Sequence, residues 1–547
     1  MKMKLDTQQE TAVRDTSNRI IVSAAAGSGK SRTLIARILR LIADGVAPDK
    51  IIAITYTNAG AKVMQQRLAK ENVTIGYVGT LHSFMLRLLK AYGTTHLGLP
   101  AASVMDENDA SSLKAGIVEE LRISCTGKAL NDAIHEARIC ASTNPNQAQI
   151  AAREYHRRQQ ATGELDYDAL LHYGLKMMPL LSKQEFHHSH LLCDEIQDAS
   201  LKDWQIYDAM PVEEWFYVGD VNQSIFEFRG ACPKMMLARM NSTDTQSLKI
   251  TTNYRSAKKI IEASNRLIAH SHSASSLSPS QPRPDASTGI VEYNGCRNAG
   301  AELAYIANQL DRNTGTAAVL FRTNALATEA RDYFRSLGIK ISEQRMPDDD
   351  AEMNGKTLLN YLANPWSDRN AYRLLVATAG IVAAAKVAKL AASQMTTIAG
   401  IFAESNSLLI QASEQVYDTP EELTVAIGHC TGSSYLETLA STIPAPFTIG
   451  DLTIAARDVV RNETEGVHVG TVHGAKGREW DTVYLAGCEA EAWDEPTETE
   501  QERRLFYVGM TRAIERLVIT HVDERQNPWQ KWNTMKRTPS RFIKETL

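Results

Sequence analysis

Near the start of the chain the apolar residues follow two periods. "RIIVS", from Arg19, is a continuous β-branched run, which predicts a strand buried on both faces. "SRTLIARILRLIADG", from Ser31, spaces its apolar residues at helical intervals and stops at Gly45. "KIIAIT" predicts a second buried strand. Farther on, "HLLCDE" and "WFYVGD" are short apolar runs ending on acidic residues, the pattern of a parallel sheet whose strand C-termini carry chemistry. Residues 271–285, "SHSASSLSPSQPRPD", are rich in Ser and Pro and predict a linker. Beyond it the alternation resumes, with "NAGAELAYIANQL" as helix, "AAVLF" as strand and "ATEARDYFRSLG" as helix. From Met346 to about Gly450 the chain is helical and alanine-rich ("IVAAAKVAKLAASQ") and carries an acidic stretch, "PDDDAE". Strands return with "VHVGTV", "TVYLAG" and "RLVITHV". The simplest account is an α/β fold of two parallel-sheet domains. A helical stretch from about Leu86 to Glu164 interrupts the first, and the segment from Met346 to about Gly450 interrupts the second.

A chain of 547 residues fits three or four units at about 100–200 residues per domain. Hydrophobic content of 43% and charged content of 22% are ordinary for a globular protein. No run reaches the ~18 apolar residues that a membrane helix needs, and "MKMKLDTQQETAV" lacks the apolar core of a secretory signal. The seven cysteines are scattered, which argues against a zinc site or a disulfide framework and predicts a cytoplasmic protein. A net charge of −5 neither points to nucleic acid nor excludes it, because a local cleft outweighs the sum.

The chemistry begins at "AAAGSGKS", Ala24 to Ser31. Ala25, Ala26, Gly27, Ser28, Gly29, Lys30, Ser31 and Arg32 form a candidate phosphate cradle between a strand and a helix. The glycines let backbone N–H groups approach phosphate oxygens, Lys30 reaches the terminal phosphates, and the Ser31 hydroxyl holds Mg²⁺. The usual pattern begins with Gly, where this chain has Ala24. "LLCDEIQD" supplies the acidic half of such a site. Asp194 is the expected Mg²⁺ ligand, directly or through water, and Glu195 the group that orients or deprotonates the attacking water. Apolar neighbours on both sides imply burial, which is costly for two adjacent carboxylates without a cation.

"DEIQD" resembles motif II of superfamily 1 DNA helicases of the UvrD/Rep/PcrA type, and further motifs follow in that family's order. "LDTQQETAV" resembles the Q motif, "ITYTNAGAKVMQQRL" motif Ia, "VGTLHSF" motif Ib, and "LDYDALL" the short motif before DExQD. "VGDVNQSIFEFRGA" resembles motif III, "TTNYRS" motif IV with "VLFRTN" its neighbour, "TVHGAKGREWDTVYLAG" motif V and "RRLFYVGMTRA" motif VI. The resemblance implies two RecA-like P-loop domains: residues 1–85 with 165–270, and residues 285–345 with 451–547. Residues 86–164 and 346–450 are then their helical insertions, the second one reduced.

It also implies roles. Gln9 reads the adenine and Tyr254 stacks on it. Gln223 and Arg229 sense the γ-phosphate, as does Arg255, while Glu479 ties motif V to the nucleotide. Arg512 reaches the γ-phosphate from the second domain like an arginine finger, a device worth roughly 10³–10⁵ in turnover. Tyr56, Asn58, His82, Phe228 and His473 take the family's strand-contacting positions, with Phe228 where relatives often carry tryptophan and Tyr56 where they often carry phenylalanine. ATP and Mg²⁺ are the implied cofactors, and single-stranded and tailed duplex DNA the implied substrates, with 3′-to-5′ movement.

The chain also departs from the family. Both insertions look short, "HGAKGREW" replaces the commoner "HSAKGLEF", and Ala199 follows DEIQD where threonine is usual. The leading expectation is an ATP-driven translocase and 3′–5′ DNA helicase. The alternative is a DNA-stimulated ATPase subunit that regulates a partner nuclease, as in Gabija-type phage defence. A nuclease or a repair or replication factor is the protein partner these readings name, and no membrane is involved.

Overall fold

A computed structural model describes residues 4–272 apart from 101, 106 and 138–144, residues 278–342 apart from 312–314, and residues 465–494, 499–526 and 534–547, together with scattered segments between 357 and 452. Two parallel sheets organise it. The first contains β1 (Arg19–Ala24), β2 (Ile51–Ile54), β3 (Tyr77–Gly79), β4 (His190–Cys193), β5 (Glu214–Gly219) and β6 (Gln246–Ile250), in the order β3-β2-β4-β5-β1-β6. The second contains β7 (Ile290–Asn298), β8 (Ala317–Phe321), β9 (His468–Thr471), β10 (Trp480–Leu485) and β11 (Ala513–Gln526), in the order β7-β11-β10-β8-β9. A short strand, Thr534–Lys536, adds antiparallel to β11.

The continuous apolar runs follow from burial on both faces. In the first sheet Ile20, Val22, Leu192 and Val218 pack under helix Lys30–Ala43. Their alternate neighbours Ile21, Leu191 and Tyr217 pack with Phe84 and Leu170, from helices Leu81–Leu97 and Tyr167–Met177. The second sheet divides the same way. Val319 and Val518 meet Ile306 and Phe334, whereas Leu320, Leu517 and Ile519 meet Phe506 and Phe542.

Helix Lys258–Ala269 joins the second core through Ile260, Ala263 and Leu267. The chain pattern assigned it to the first domain, with the break at the Ser/Pro-rich stretch; its amphipathic stripe is equally suited to either sheet. Of that stretch, residues 273–277 lie outside the described residues, and Gln281–Pro282 pairs with Thr252–Asn253.

Between β3 and β4 stand helices Glu107–Glu120, Gly127–Ala137 and Gln147–Thr162, with a core of their own around Ile117, Leu130 and Tyr155. Described residues between 357 and 452 form a separate cluster around Leu358, Leu374, Tyr417 and Leu436. "PDDDAE" and almost all of "IVAAAKVAKLAASQ" lie outside the described residues. Among the described residues no helix is long and apolar enough to cross a membrane.

Candidate active site

β1 delivers the chain into the loop Ala25–Gly29, and Gly29 opens helix Lys30–Ala43. Gly27 and Gly29 have φ of +67° and +80°, where a side chain is strained. A Cβ on Gly27 would also stand 2.7 Å from the Arg255 Cβ and 2.8 Å from Asn253 Oδ1. Gly29 provides no side-chain cap, so the first-turn N–H groups face the loop, an arrangement suited to phosphate oxygens. The Ala25 amide donates to the Ile250 carbonyl at 2.9 Å and the Ser28 amide to the Ala25 carbonyl at 3.1 Å. Ala26, Ser28 and Lys30 are buried, and Arg32 is exposed.

Gln9 is buried beside this loop. Its Nε2 donates to the Ser28 carbonyl at 2.9 Å, while Oε1 accepts the Asp6 amide at 3.1 Å. Tyr254 is 40% exposed and gives its hydroxyl proton to Asp6 Oδ2 at 2.5 Å, and its amide bonds the Gly27 carbonyl at 2.9 Å. An open aromatic face thus lies next to the phosphate loop.

Ser31 Oγ donates to Asp194 Oδ2 at 2.6 Å, joining the two halves of the site. A hydroxyl and a carboxylate beside Lys30 are the hard oxygen donors that suit Mg²⁺. Burial and the neighbouring Glu195 push the Asp194 carboxyl up, against the opposing pull of Ser31 and Lys30. For Glu195 burial also acts upward, but Lys30, Lys476, Gln197 and Arg512 outweigh it and hold the carboxyl below its ordinary range. An ionised Glu195 is the form that can take a proton from water. Its backbone is left-handed, φ +54°, a conformation costing roughly 1–3 kcal/mol outside glycine and typical of functional positions. Gln197 Nε2 donates to Glu195 Oε2 at 2.5 Å, and Gln197 Oε1 accepts the Asp220 amide at 2.9 Å. Gly219 makes room for that bridge, since a Cβ there would fall 2.5 Å from Gln197 Oε1.

The second lobe completes the cluster. Arg512 is buried in the turn between helix Thr499–Met510 and β11 and donates to the Val508 carbonyl at 2.9 Å, the Arg478 carbonyl at 3.2 Å and Gln223 Oε1 at 3.3 Å. Gln223 Nε2 in turn donates to Asp220 Oδ2 at 2.5 Å. Burial and nearby Arg255 lower the Arg512 guanidinium to about 9, so it remains charged at neutral pH. Arg255 pairs with Glu479 and donates to the Thr511 carbonyl at 3.2 Å. Lys476 pairs with Asp198 and donates to the Gln223 carbonyl at 2.7 Å. Arg504 pairs with Glu227 and donates to the Ser224 carbonyl at 2.9 Å.

A second cluster is aromatic. Tyr56 stacks on Phe226 at 5.4 Å and 14°, and Phe226 lies 6.1 Å from Phe228. His473 stands edge-on to Phe228 at 5.4 Å. Arg229, expected at the γ-phosphate, belongs to this group: its guanidinium lies 5.4 Å over Phe226 and 5.5 Å over Phe228. The one-turn helix Glu227–Arg229 follows Gln223 and carries Arg229 to the ring side. His82 is half-buried, edge-on to Tyr167 at 5.1 Å, and Asn58 is buried at the first turn of helix Asn58–Lys70. Phe226, Gln197, Asp198, Asp220, Lys476 and Arg504 were not singled out from the sequence, although alternation in "IFEFRG" marks Phe226 as Phe228's companion.

The chain matches two family models, the UvrD/REP helicase N-terminal domain over residues 5–244 and the UvrD-like helicase C-terminal domain over residues 248–345 and 447–524. It is 26% identical to ATP-dependent DNA helicase PcrA of Staphylococcus epidermidis, covering 99% of this chain and 86% of that protein. It is also 26% identical to ATP-dependent DNA helicase UvrD1 of Mycobacterium leprae, covering 99% and 85%. The PcrA alignment runs over 646 positions against 547 residues here, so that relative carries internal residues without counterparts in this chain. The chain belongs to the UvrD/Rep/PcrA-type helicases of superfamily 1A, DNA helicases that use ATP with Mg²⁺.

Proposed function

We propose that the protein is a single-stranded DNA translocase that moves 3′ to 5′ and opens tailed duplexes. One observation carries the reading. Arg512 of the second lobe donates to Gln223 of the first, beside the Ser31–Asp194 pair and Glu195, so the catalytic cluster is complete only when both lobes contribute. Bound between the lobes, ATP with Mg²⁺ would supply the phosphoryl group to be transferred to water. Lys30 and the loop amides hold the phosphates, Ser31 and Asp194 hold the metal, and Glu195 accepts the proton of the attacking water. Gln9, Arg32 and Tyr254 frame the base. Gln223, Arg255 and Arg512 neutralise charge at the terminal phosphoryl group, and Glu479 positions Arg255. Tyr56, Phe226, Phe228 and His473 offer stacking faces to the strand, with Asn58 and His82 continuing its path and Arg229 supporting the rings.

In this reading residues 1–85, with the chain from 165 through β6, form the first motor domain. Residues 285–345 and 451–547, with helix Lys258–Ala269, form the second, and 86–164 and 346–450 are the insertions. Strand displacement on 3′-tailed and 5′-tailed duplexes tests activity and polarity together. Opening of the 3′-tailed substrate alone is the expected result, and preference for the 5′ tail overturns the direction. The residues that the longer relative has within the aligned region favour a second reading, a DNA-stimulated ATPase that regulates a partner nuclease. Displacement that requires an added nuclease subunit would select it.

A further inference from the structure

We propose that Arg37 is a positioning residue for nucleobase selection, fixing the segment that reads the base to the helix that holds the phosphates. The inference rests on the roles proposed above for the phosphate loop, Gln9 and Tyr254. Arg37 lies on helix Lys30–Ala43, on its buried face with Leu34, Ile38 and Leu41, and is only 5% exposed. A cation there is costly unless its protons are bonded. Its guanidinium donates to the Val13 carbonyl at 3.0 Å and to the Asp15 carbonyl. Both carbonyls lie at the C-terminal end of helix Thr7–Arg14, the pole that attracts positive charge. Glu214 stands 3.6 Å away on β5, and the guanidinium carbon is 5.6 Å from the Phe216 ring centre. Burial lowers the guanidinium from its ordinary value, opposed by Glu214 and Asp15.

The other end of the same short helix meets the phosphate loop. Asp6 caps it, its Oδ1 accepting the Gln9 amide at 2.8 Å, and also holds the Tyr254 hydroxyl. Gln9 reaches the Ser28 carbonyl, and a Cβ on Gly29 would lie 3.0 Å from Gln9 Nε2, so the fit is close. Gln8 Oε1 accepts the Thr251 amide at 2.8 Å and gives this end a pivot. Helix Lys30–Ala43 carries Lys30 and Ser31 in its first turn. Arg37 follows Lys30 by seven positions, which places it on the same side about 10 Å along the axis. One rigid helix therefore sets the distance from phosphate cradle to base reader. Without Arg37 the helix Thr7–Arg14 loses its C-terminal hold and turns about the Gln8–Thr251 pair. Gln9 and Tyr254 then meet the base out of register, while the phosphate loop keeps its own bonds.

The test compares hydrolysis of ATP and of GTP, each as sole nucleotide with saturating oligodeoxythymidylate. Inhibition by inorganic tripolyphosphate reports the cradle without a base. Arg37→Met is expected to lower the ATP-to-GTP ratio of kcat/KM about tenfold, the ~1.4 kcal/mol of one lost hydrogen bond. The loss should enter through KM for ATP, with kcat and tripolyphosphate inhibition close to wild type. Both nucleotides and tripolyphosphate weakened alike, with the ratio intact, overturn the proposal in favour of a general structural role. A ratio that Gln9→Ala lowers and Arg37→Met does not overturns the link between Arg37 and the base. The double variant must lose no more discrimination than Gln9→Ala alone; additive losses overturn that link too. A ratio that Gln9→Ala leaves intact overturns the base-reading role itself, and this inference with it. If Arg37→Met melts below the assay temperature, Arg37→Lys, which keeps the charge without the planar fork, carries the same comparison.

Discussion

Phe228 exposes 60% of its surface beside His473 and under Arg229, so its ring leaves room for a base to stack. Phe228→Ala should weaken single-strand binding by about 1–3 kcal/mol, read directly from a binding titration; an unchanged Kd removes it from the strand path. His473 makes a different prediction. Burial, then Arg322, Arg229 and Lys476, lower its ring from 6.5 to about 4, so it is a neutral ring at pH 7. Between those values the unfolded chain binds a proton that the folded chain refuses. The stability is therefore full above about pH 6.5 and falls as pH drops towards 4. Urea midpoints at pH 7 and pH 5 should fall less in His473→Asn than in the wild type, and equal falls contradict the assignment. The meeting of Ser31 and Asp194 was legible because each belongs to a short motif whose chemistry is local. Phe226 was not, since an aromatic beside isoleucine looks like core until its partners Tyr56 and Lys476 are seen.

The phosphate loop shows what one turn of chain requires. Lys30→Ala should abolish ATP turnover, with circular dichroism and melting temperature close to wild type, because the helix start keeps its backbone; normal turnover discredits the cradle. Gly27→Ala should reduce nucleotide affinity as well as turnover. The added methyl meets Arg255 and Asn253, and the left-handed backbone costs about 1–2 kcal/mol for a residue with a side chain. Unaltered nucleotide affinity in a fluorescent-analogue titration would show that the loop tolerates the crowding. The strands were legible from their unbroken apolar runs, and their parallel pairing follows from the helices between them. The left-handed turn at Glu195 left no mark in the sequence, because glutamate has no preference for it. Nor did the side to which helix Lys258–Ala269 packs, since an apolar stripe states that a face is buried and not against what.

The two lobes meet through Arg512 on Gln223, Lys476 on Asp198 and Arg504 on Glu227, so three cations of the second lobe reach the motif II and motif III segments of the first. Arg512 is held in advance by the Val508 and Arg478 carbonyls, so the charge neutralisation proposed for it requires little reorganisation. Arg512→Ala should still bind a non-hydrolysable ATP analogue but hydrolyse ATP roughly 10³–10⁵-fold more slowly, measured in single-turnover assays. A rate near normal would place the catalytic site in the first lobe alone.

Local order was written along the chain. The period of apolar residues set strands and helices, the glycines and lysine of the loop set a candidate phosphate cradle, and the order of motifs set the family, because each of these depends on neighbours a few residues apart. The fold decided what distance in sequence conceals. It placed Arg229 with the rings and Lys476 across the cleft, and it put Arg512 against Gln223, 289 positions away. Such pairings arise from the docking of two separately folded cores, and no local propensity encodes which charged side chain will face which.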